Sequence, residues 1–499
     1  RNCRILVSRL FVLFKSLDSR PLRKKRWRFS EWIAGRFGLH FNHSVTRSEL
    51  SCDKHWSPLE PWIGHSLDKS GQQEETMTLY YAVGSPTTEI SDEQMRQALH
   101  LVLEQLGERK KVLTLPPDFT RYNSRAGQLT CMAYEFYGSA MTDIMPALGT
   151  HVPMPEWQLD KMFPGVPHDL IRPHRWRDDV VTIGEVPTEF VSEVTEGIWQ
   201  QPWPAQLNKL VWEGGHDLIL SIGQVVPHEV IGMANYNKNI FVGTGGSKGI
   251  NESHFIGAAY GMERMMGRAN TPLRKILNYA QDQFCRNLPL LYVLTVVGAR
   301  QDGSLVTRGL FIGDHHDCFE QACELSVQVN FTKLDEPLDK VVVYLDPEEF
   351  HSTWLGNKSI YRTRMAIADE GELIVLAPKV GIFGEDPQID TLIRKYGYRT
   401  TPEIMKFMEE NEDLRANLSA AAHLIHGSSE GRFSVTYCPG ELTREEVESV
   451  GYQYGDLDAM LQRYAAEDLR DGWNETADGE RFYFIGNPAL GLWAHKDRL

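Results

Sequence analysis

Residues 217–228, DLILSIGQVVPH, form a short apolar run that stops at a proline and a histidine. Such a run reads as a buried strand. Similar strand-like runs recur at KKVLTLPPDFTR (110–121), LLYVLTVVGA (290–299), KVVVYLDPEE (340–349) and ELIVLAPKVGIFG (372–384), and TLYYAVG (78–84) alternates like a half-buried strand. Helical segments lie between them. In SDEQMRQALHLVLEQLG (91–107), Ser91 sits at an N-cap position ahead of apolar residues at helical spacing. Strand–helix alternation predicts an α/β fold of two domains, with mostly parallel sheets and helices on both faces. Ligands of such sheets bind in loops beyond the carboxyl ends of strands, and the polar motifs of this chain fall at such ends. The expected domains are an N-terminal α/β domain over 77–285 and a C-terminal α/β domain over 286–499, with the break just before LLYVLTVVGA.

Composition narrows the function classes. The 499 residues carry a formal charge of −15, which argues against nucleic-acid binding, because a phosphate backbone is held by clustered Lys and Arg. The seven cysteines (Cys3, Cys52, Cys131, Cys285, Cys318, Cys323, Cys438) are scattered and form no CxxC pair. A disulfide framework or Cys-rich zinc site is not expected, and the setting reads as reducing and cytoplasmic. Residues 1–76 stand apart, with 14 Lys and Arg against 8 Asp and Glu and a basic run RPLRKKRWRF at 20–29. The apolar ILVSRLFVLF (5–14) is about half a membrane span and contains Arg9. No membrane partner is expected. Met77 is the expected start, preceded by upstream translated sequence or a disordered basic leader.

Three constellations carry candidate chemistry. PPDFTRYNSRAG (116–127) places Asp118, Thr120, Arg121 and Arg125 in a proline-stiffened loop after a strand. A guanidinium there offers a planar fork to carboxylate or phosphate, although a surface ion pair capping a turn would look the same. ALGTHVPM (147–154) offers His151 as a general acid or base, or as a histidine bonded to backbone. HRWRDDVVTIG (174–184), with His174, Asp178 and Asp179, is a weaker version of the same pattern. Beyond His228, the stretch EVIGMANYNKNIFVGTGGSKGINESHFIG (229–257) adds Lys238, Lys248 and His254. Its GTGGSKG lacks the spacing of a nucleoside triphosphate loop, and no HExxH or local metal clip accompanies the histidines. Residue types alone leave open which lysine is functional.

Taken in order, DFTR, GTHVPM, HRW…DD…VTIG, GQVVPH with its lysine segment, and GELIVLAPKVGIFG resemble the nickel-dependent lactate racemase family. The resemblance covers most of residues 77–400. That family's lysine segment runs PHxxxGxxGGRKxxxPG, followed by a histidine. Matched without gaps from His228, its lysine falls on Lys238 and its downstream histidine on His254, whereas Lys248 would need a ten-residue insertion. The resemblance implies a racemase or epimerase of a 2-hydroxy acid, an isomerase working in the interdomain cleft by hydride removal and return through a keto acid. It implies a nickel-pincer nucleotide, a pyridinium mononucleotide bound covalently through Lys238, with His254 on the nickel, a metal that imidazole suits. His151 and His228 become the acid/base pair. Asp118 and Arg121 hold the cofactor or the substrate carboxylate, and Lys358 joins them from the second domain. Cofactor-maturation proteins are implied partners.

The chain departs from that pattern. Asn235-Tyr236-Asn237 replaces Gly-Gly-Arg, which predicts a bulkier, more polar loop near the cofactor. Leu355 stands where a glutamine is usual, and Arg362 and Arg364 lie close enough to Lys358 to be its alternatives. These changes point from lactate towards a larger 2-hydroxy acid, such as a sugar acid epimerised at C2. Other readings are a cofactor-free hydroxy-acid or nucleotide-binding protein of the same fold, an NAD-dependent dehydrogenase and a zinc hydrolase using the histidines. For the dehydrogenase, the chain lacks G-x-G-x-x-G between a strand and a helix.

Overall fold

Hydrophobic residues alternate between two cores across each of two sheets. In the strand Leu218–Gln224, Leu218, Leu220 and Ile222 enter one core while Ile219 enters the other. In the second half, Val341 and Val343 face one core and Val342 the opposite one. Strands covered on both faces read as continuous apolar runs, which is why these segments are so apolar. The computed structural model describes residues 78–300, 303–466 and 469–498. These belong to one compact unit, Gly64–Leu499. The expectations for residues 1–76 and for Met77 lie outside the described residues.

The first sheet has six strands in the order Leu79–Gly84, Leu305–Gly313, Leu290–Ala299, Leu218–Gln224, Val112–Leu115 and Met141–Ile144. The first three pair antiparallel and the remaining pairings are parallel. The second sheet runs Gln453–Tyr454, Ser434–Pro439, Ile367–Ala377, Leu338–Tyr344, Arg481–Ile485 and Gly472–Glu475. All its pairings are parallel except the last. The fold is therefore the expected α/β arrangement of mostly parallel sheets. Leu290–Ala299 and Leu305–Gly313, which the sequence places in the second domain, hydrogen-bond into the first sheet. An apolar run does not encode its pairing partner, so the sequence could not assign them.

The helix Asp92–Leu106 starts as its sequence predicts: the Ser91 side chain accepts from Gln94 N, and the Gln94 side chain accepts from Ser91 N. Two further helices join the halves. Ser247–Tyr260 sends Phe255 and Ala258 into the second core, and Ser419, on Leu418–His426, donates to Asn251 Oδ1 at 2.6 Å. Among the described residues, no helix is long and apolar enough to cross a membrane.

Candidate active site

Three neighbouring parallel strands deliver three loops to one edge of the first sheet. Val112–Leu115 leads into Pro116-Pro117-Asp118, Met141–Ile144 into the loop with His151, and Leu218–Gln224 into His228. Carboxyl ends of adjacent parallel strands are where such a sheet builds a site. A cavity with about 1270 Å³ of space, its open mouth included, lies there, closed from the other half by Trp354, Lys358, His423 and His426. Asp118, Arg121, His151, His228, Lys238, His254 and Lys358 all line it.

Asp118 is buried and caps the kinked 3₁₀ segment Phe119–Ser124, its Oδ1 accepting from Thr120 N at 3.1 Å and Thr120 Oγ1 at 2.5 Å. Its Oδ2 lies 2.5 Å from His151 Nδ1. Burial alone would raise its pKa, but His151, Thr120 and Arg121 hold the carboxyl at about 2. The carboxylate takes the Nδ1 hydrogen, so in a neutral imidazole Nε2 keeps a lone pair able to accept a proton. The His151 loop is pinned to the lysine segment by Gly149 N donating to Gly243 O at 2.8 Å. That approach needs Gly243 bare, since a Cβ there would sit 2.8 Å from Ala147 Cβ.

His228 has the complementary arrangement. Its Nδ1 accepts from Val230 N at 3.1 Å, which leaves the hydrogen of a neutral ring on Nε2. Burial, helped by Lys238, Arg362 and Arg121, drives its pKa well below the usual histidine range against the pull of Glu229. Glu229, which also lines the cavity, would be raised by burial, but His228, Arg362 and His426 hold its carboxyl well below the ordinary range.

Lys238 follows two residues in the left-handed region, Asn235 (φ 66°) and Tyr236 (φ 58°), and leads into a single π-helical turn, Asn239–Gly243. These are the positions where the resembled pattern has Gly-Gly, and here non-glycine residues hold the left-handed backbone that glycine adopts most freely. Arg274, fully buried, clamps this loop by donating to Met233 O at 2.7 Å, to Asn235 O and to Asn237 Oδ1. Asn239 anchors the other side, donating to Leu115 O at 2.8 Å and Ser221 Oγ at 3.0 Å. Burial, with Arg121 next, lowers the Lys238 amine from 10.5 to about 8. Lys358 is lowered to about 8 by the same two causes. Amines so depressed are partly neutral near physiological pH and therefore nucleophilic.

The expected bulk near the cofactor needs correcting. Asn235 lines the cavity, but Tyr236 and Asn237 do not. The Tyr236 hydroxyl meets His316 Nδ1 and Gln281 Nε2, both at 2.9 Å, and its ring stacks on Phe319 in the core. Several other candidates also lie outside the cavity. His174 bonds Gly245 O at 2.9 Å and Asn208 Nδ2 at 3.0 Å, so it holds backbone in place. Asp179 pairs with Arg175, Arg125 donates to Leu305 O, and Lys248 stands exposed beside Glu252. Arg362 faces Glu229 at 3.8 Å, and Arg364 donates to Glu263 at 2.5 Å and to Ser428 O. Neither arginine lines the cavity.

His254 lies on the helix Ser247–Tyr260 with Nδ1 2.7 Å from Ile250 O. Burial lowers its pKa, so the ring is neutral with an Nε2 lone pair, the form that binds metals. Among the described residues, no three His, Cys, Asp or Glu side chains converge into a metal cluster. A metal on His254 would therefore take its other ligands from a bound group. Arg121, Lys238 and Lys358 also make the cavity cationic, as a phosphate or carboxylate requires.

No family model and no curated protein matches the chain. Among solved structures it resembles a structural-genomics protein from Thermotoga maritima: 24% identity, 81% of this chain and 100% of that one covered, TM-score 0.68. It also resembles the lactate racemase apoprotein from Thermoanaerobacterium thermosaccharolyticum: 16% identity, 82% and 94% covered, TM-score 0.61. The chain shares their fold.

Proposed function

We propose that the protein racemises or epimerises a 2-hydroxy acid, using a nickel-pincer nucleotide tethered to Lys238 with its metal on His254. The observation that carries this reading is the state of four side chains lining one cavity: a depressed amine at Lys238, a free Nε2 lone pair at His254, and His151 and His228 held in opposite tautomers. The bound group would supply the hydride acceptor and donor. Arg121 and Lys358 hold the substrate carboxylate. His151 Nε2 accepts the proton of the C2 hydroxyl, and Asp118 stabilises the imidazolium that forms. His228, with its hydrogen on Nε2, donates a hydrogen bond to the C2 oxygen in the opposite stereochemical sense, and the proton held on the His151 imidazolium returns to the product hydroxyl. The fold shared with a lactate racemase apoprotein supports the reading. Cofactor-maturation proteins are its partners under this proposal, and a cytoplasmic setting belongs to it.

The test is intact mass and nickel content of protein co-produced with the maturation proteins, for wild type, Lys238→Ala and Lys248→Ala. A nucleotide-sized adduct with nickel, lost in Lys238→Ala and kept in Lys248→Ala, is expected. No adduct on the wild type, beside a working control, would overturn the reading in favour of a cofactor-free binding protein.

A further inference from the structure

The helix Leu418–His426 brings His423 to the cavity wall, and a chain of hydrogen bonds behind the ring leaves it one tautomer. His423 Nε2 lies 3.0 Å from the Tyr398 hydroxyl. That hydroxyl is 2.6 Å from Thr353 Oγ1, which donates to Phe383 O at 2.9 Å. Each hydroxyl has one hydrogen and a carbonyl has none. The Thr353 hydrogen is therefore spent on Phe383, and the Tyr398 hydrogen goes to Thr353. Tyr398 is left to accept from His423, whose hydrogen sits on Nε2. Asn357 Nδ2, at 3.5 Å, is too distant to displace it. Burial, with His426 beside it, drives the His423 pKa well below the ordinary histidine range. The ring is neutral, and Nδ1 keeps its lone pair.

Nδ1 is the open side of that ring. It makes no hydrogen bond within the protein; both of the ring's bonds are at Nε2. Among the described residues, the unpartnered side-chain atoms sealed away from all open space include His216 Nδ1 and His426 Nε2, but not His423 Nδ1. An unpartnered nitrogen that is not sealed touches open space. For a residue 4% exposed on the cavity wall, that space is the cavity. The ring is held in place by Trp354, stacked on it at 4.5 Å, and by Tyr398, edge to face at 5.5 Å. A neutral nitrogen with a lone pair accepts and has no hydrogen to give. A carboxylate or phosphate oxygen finds no bond there, whatever the charges around it, whereas a donor does.

We propose that His423 Nδ1 accepts a hydrogen bond from a substrate hydroxyl beyond C2, and so favours polyhydroxy 2-hydroxy acids over short aliphatic ones. The assignment rests on the hydroxy-acid reading of the same cavity. In a 2-hydroxy acid bound there, the ionised carboxylate offers no hydrogen and the C2 hydroxyl gives its own to His151. The donor that remains is a hydroxyl farther along the chain. A substrate without it leaves the nitrogen unpaired, which is how a site built on hydrogen bonds discriminates.

The probes are D-gluconate and D-lactate, and the variants are His423→Asn and His423→Gln. The asparagine amide oxygen can occupy the place of Nδ1, whereas the glutamine amide reaches the place of Nε2. In cofactor-loaded protein, the ratio of kcat/KM for gluconate over lactate falls about tenfold in the glutamine variant and stays within about threefold of wild type in the asparagine variant. In unloaded protein, calorimetric affinity for gluconate follows the same order. Equal falls in both variants, or an unchanged ratio in both, would overturn the assignment by showing the ring structural or idle. Loss of the nucleotide adduct in the glutamine variant, with the ratio unchanged, would move the hydrogen bond to the ribose of the nucleotide and equally remove the substrate assignment. Wild type that turns over neither acid yet binds gluconate, with the variants in that order, would remove the reaction and leave the assignment standing. Wild type that neither binds nor turns over gluconate would remove the assignment itself.

Discussion

His151 Nδ1 and Asp118 Oδ2 lie 2.5 Å apart, joining loops that leave two paired parallel strands. The carboxylate fixes which ring nitrogen carries the hydrogen and, in the proposed reaction, would offset the charge that His151 gains as a base. Asp118→Asn presents an amide in the same place and loses both effects. Its expected kcat is lower by about a hundredfold or more, with KM changing less. A kcat within a few-fold of wild type would show that the pair is not part of proton transfer. Asp118 also has an acid signature. Its pKa of about 2 lies below the ordinary 3.8, so the stability it adds is complete above about pH 4 and is lost as pH falls towards 2. Urea unfolding of Asp118→Asn should show a flatter pH dependence in that window.

Lys238 works against stability. Its amine titrates at about 8 when folded against the ordinary 10.5 of an exposed lysine, so between those values the unfolded chain holds more protons and stability rises with pH. At pH 7 the whole penalty is present. Lys238→Met should therefore stabilise the protein at pH 7, by up to about 3 kcal/mol, while abolishing the nucleotide adduct. The gain should shrink when unfolding is measured near pH 10. Equal midpoints for the two proteins at pH 7 would refute the depressed amine.

Tyr236 holds φ 58° two residues ahead of Lys238, a conformation costly for a bulky residue, and is kept there by its core contacts. Tyr236→Phe removes the hydroxyl that meets His316 and Gln281 and should destabilise by about 1–2 kcal/mol. Because Tyr236 does not line the cavity, ligand affinity at constant folded fraction should follow the wild type. A change in substrate preference would return the side chain to the site.

Lys358 and Arg364 are separable by readout. Lys358→Met should raise KM for the hydroxy acid about tenfold or more and leave the mass adduct intact. Arg364→Met leaves Glu263 and the Ser428 carbonyl without their buried donor, and should instead lower stability by roughly 2–4 kcal/mol. The reverse pattern would move the carboxylate-binding role to the arginine.

Much of this arrangement is legible along the chain. The strand runs at 112–115, 218–224 and 290–299 are visible because burial on both faces demands continuous apolar residues. Asp118 and His228 stand out because each follows such a run, and His151 because it lies in a loop between Gly149 and Pro153. Glu229 does not stand out beside His228, since nothing in a single glutamate announces that it will be buried among His228, Arg362 and His426. Arg274 reads as one more charge on the helix Pro272–Phe284, yet it carries the loop before Lys238. The pair His423 and His426 has helical spacing, but that spacing does not say which way the face points. Tyr236 misleads for a similar reason: a tyrosine in place of glycine suggests bulk in the site, while the left-handed backbone turns the ring into the core.

The sequence by itself determined what local chemistry can determine: the α/β class and the strand ends that carry polar loops, whereas Lys238 is singled out over Lys248 only by its gapless match to the lactate racemase family's pattern. Strand periodicity and motif order are properties of neighbouring residues, and they survive without coordinates. Tertiary structure alone decided which strands pair, since Leu290–Ala299 and Leu305–Gly313 join the first sheet through hydrogen bonds that no apolar run encodes. It also decided the states of the site. The neutral His228 and the lowered amine of Lys238 come from burial and from charges far away in sequence, and those exist only once the two sheets have closed on the same cavity.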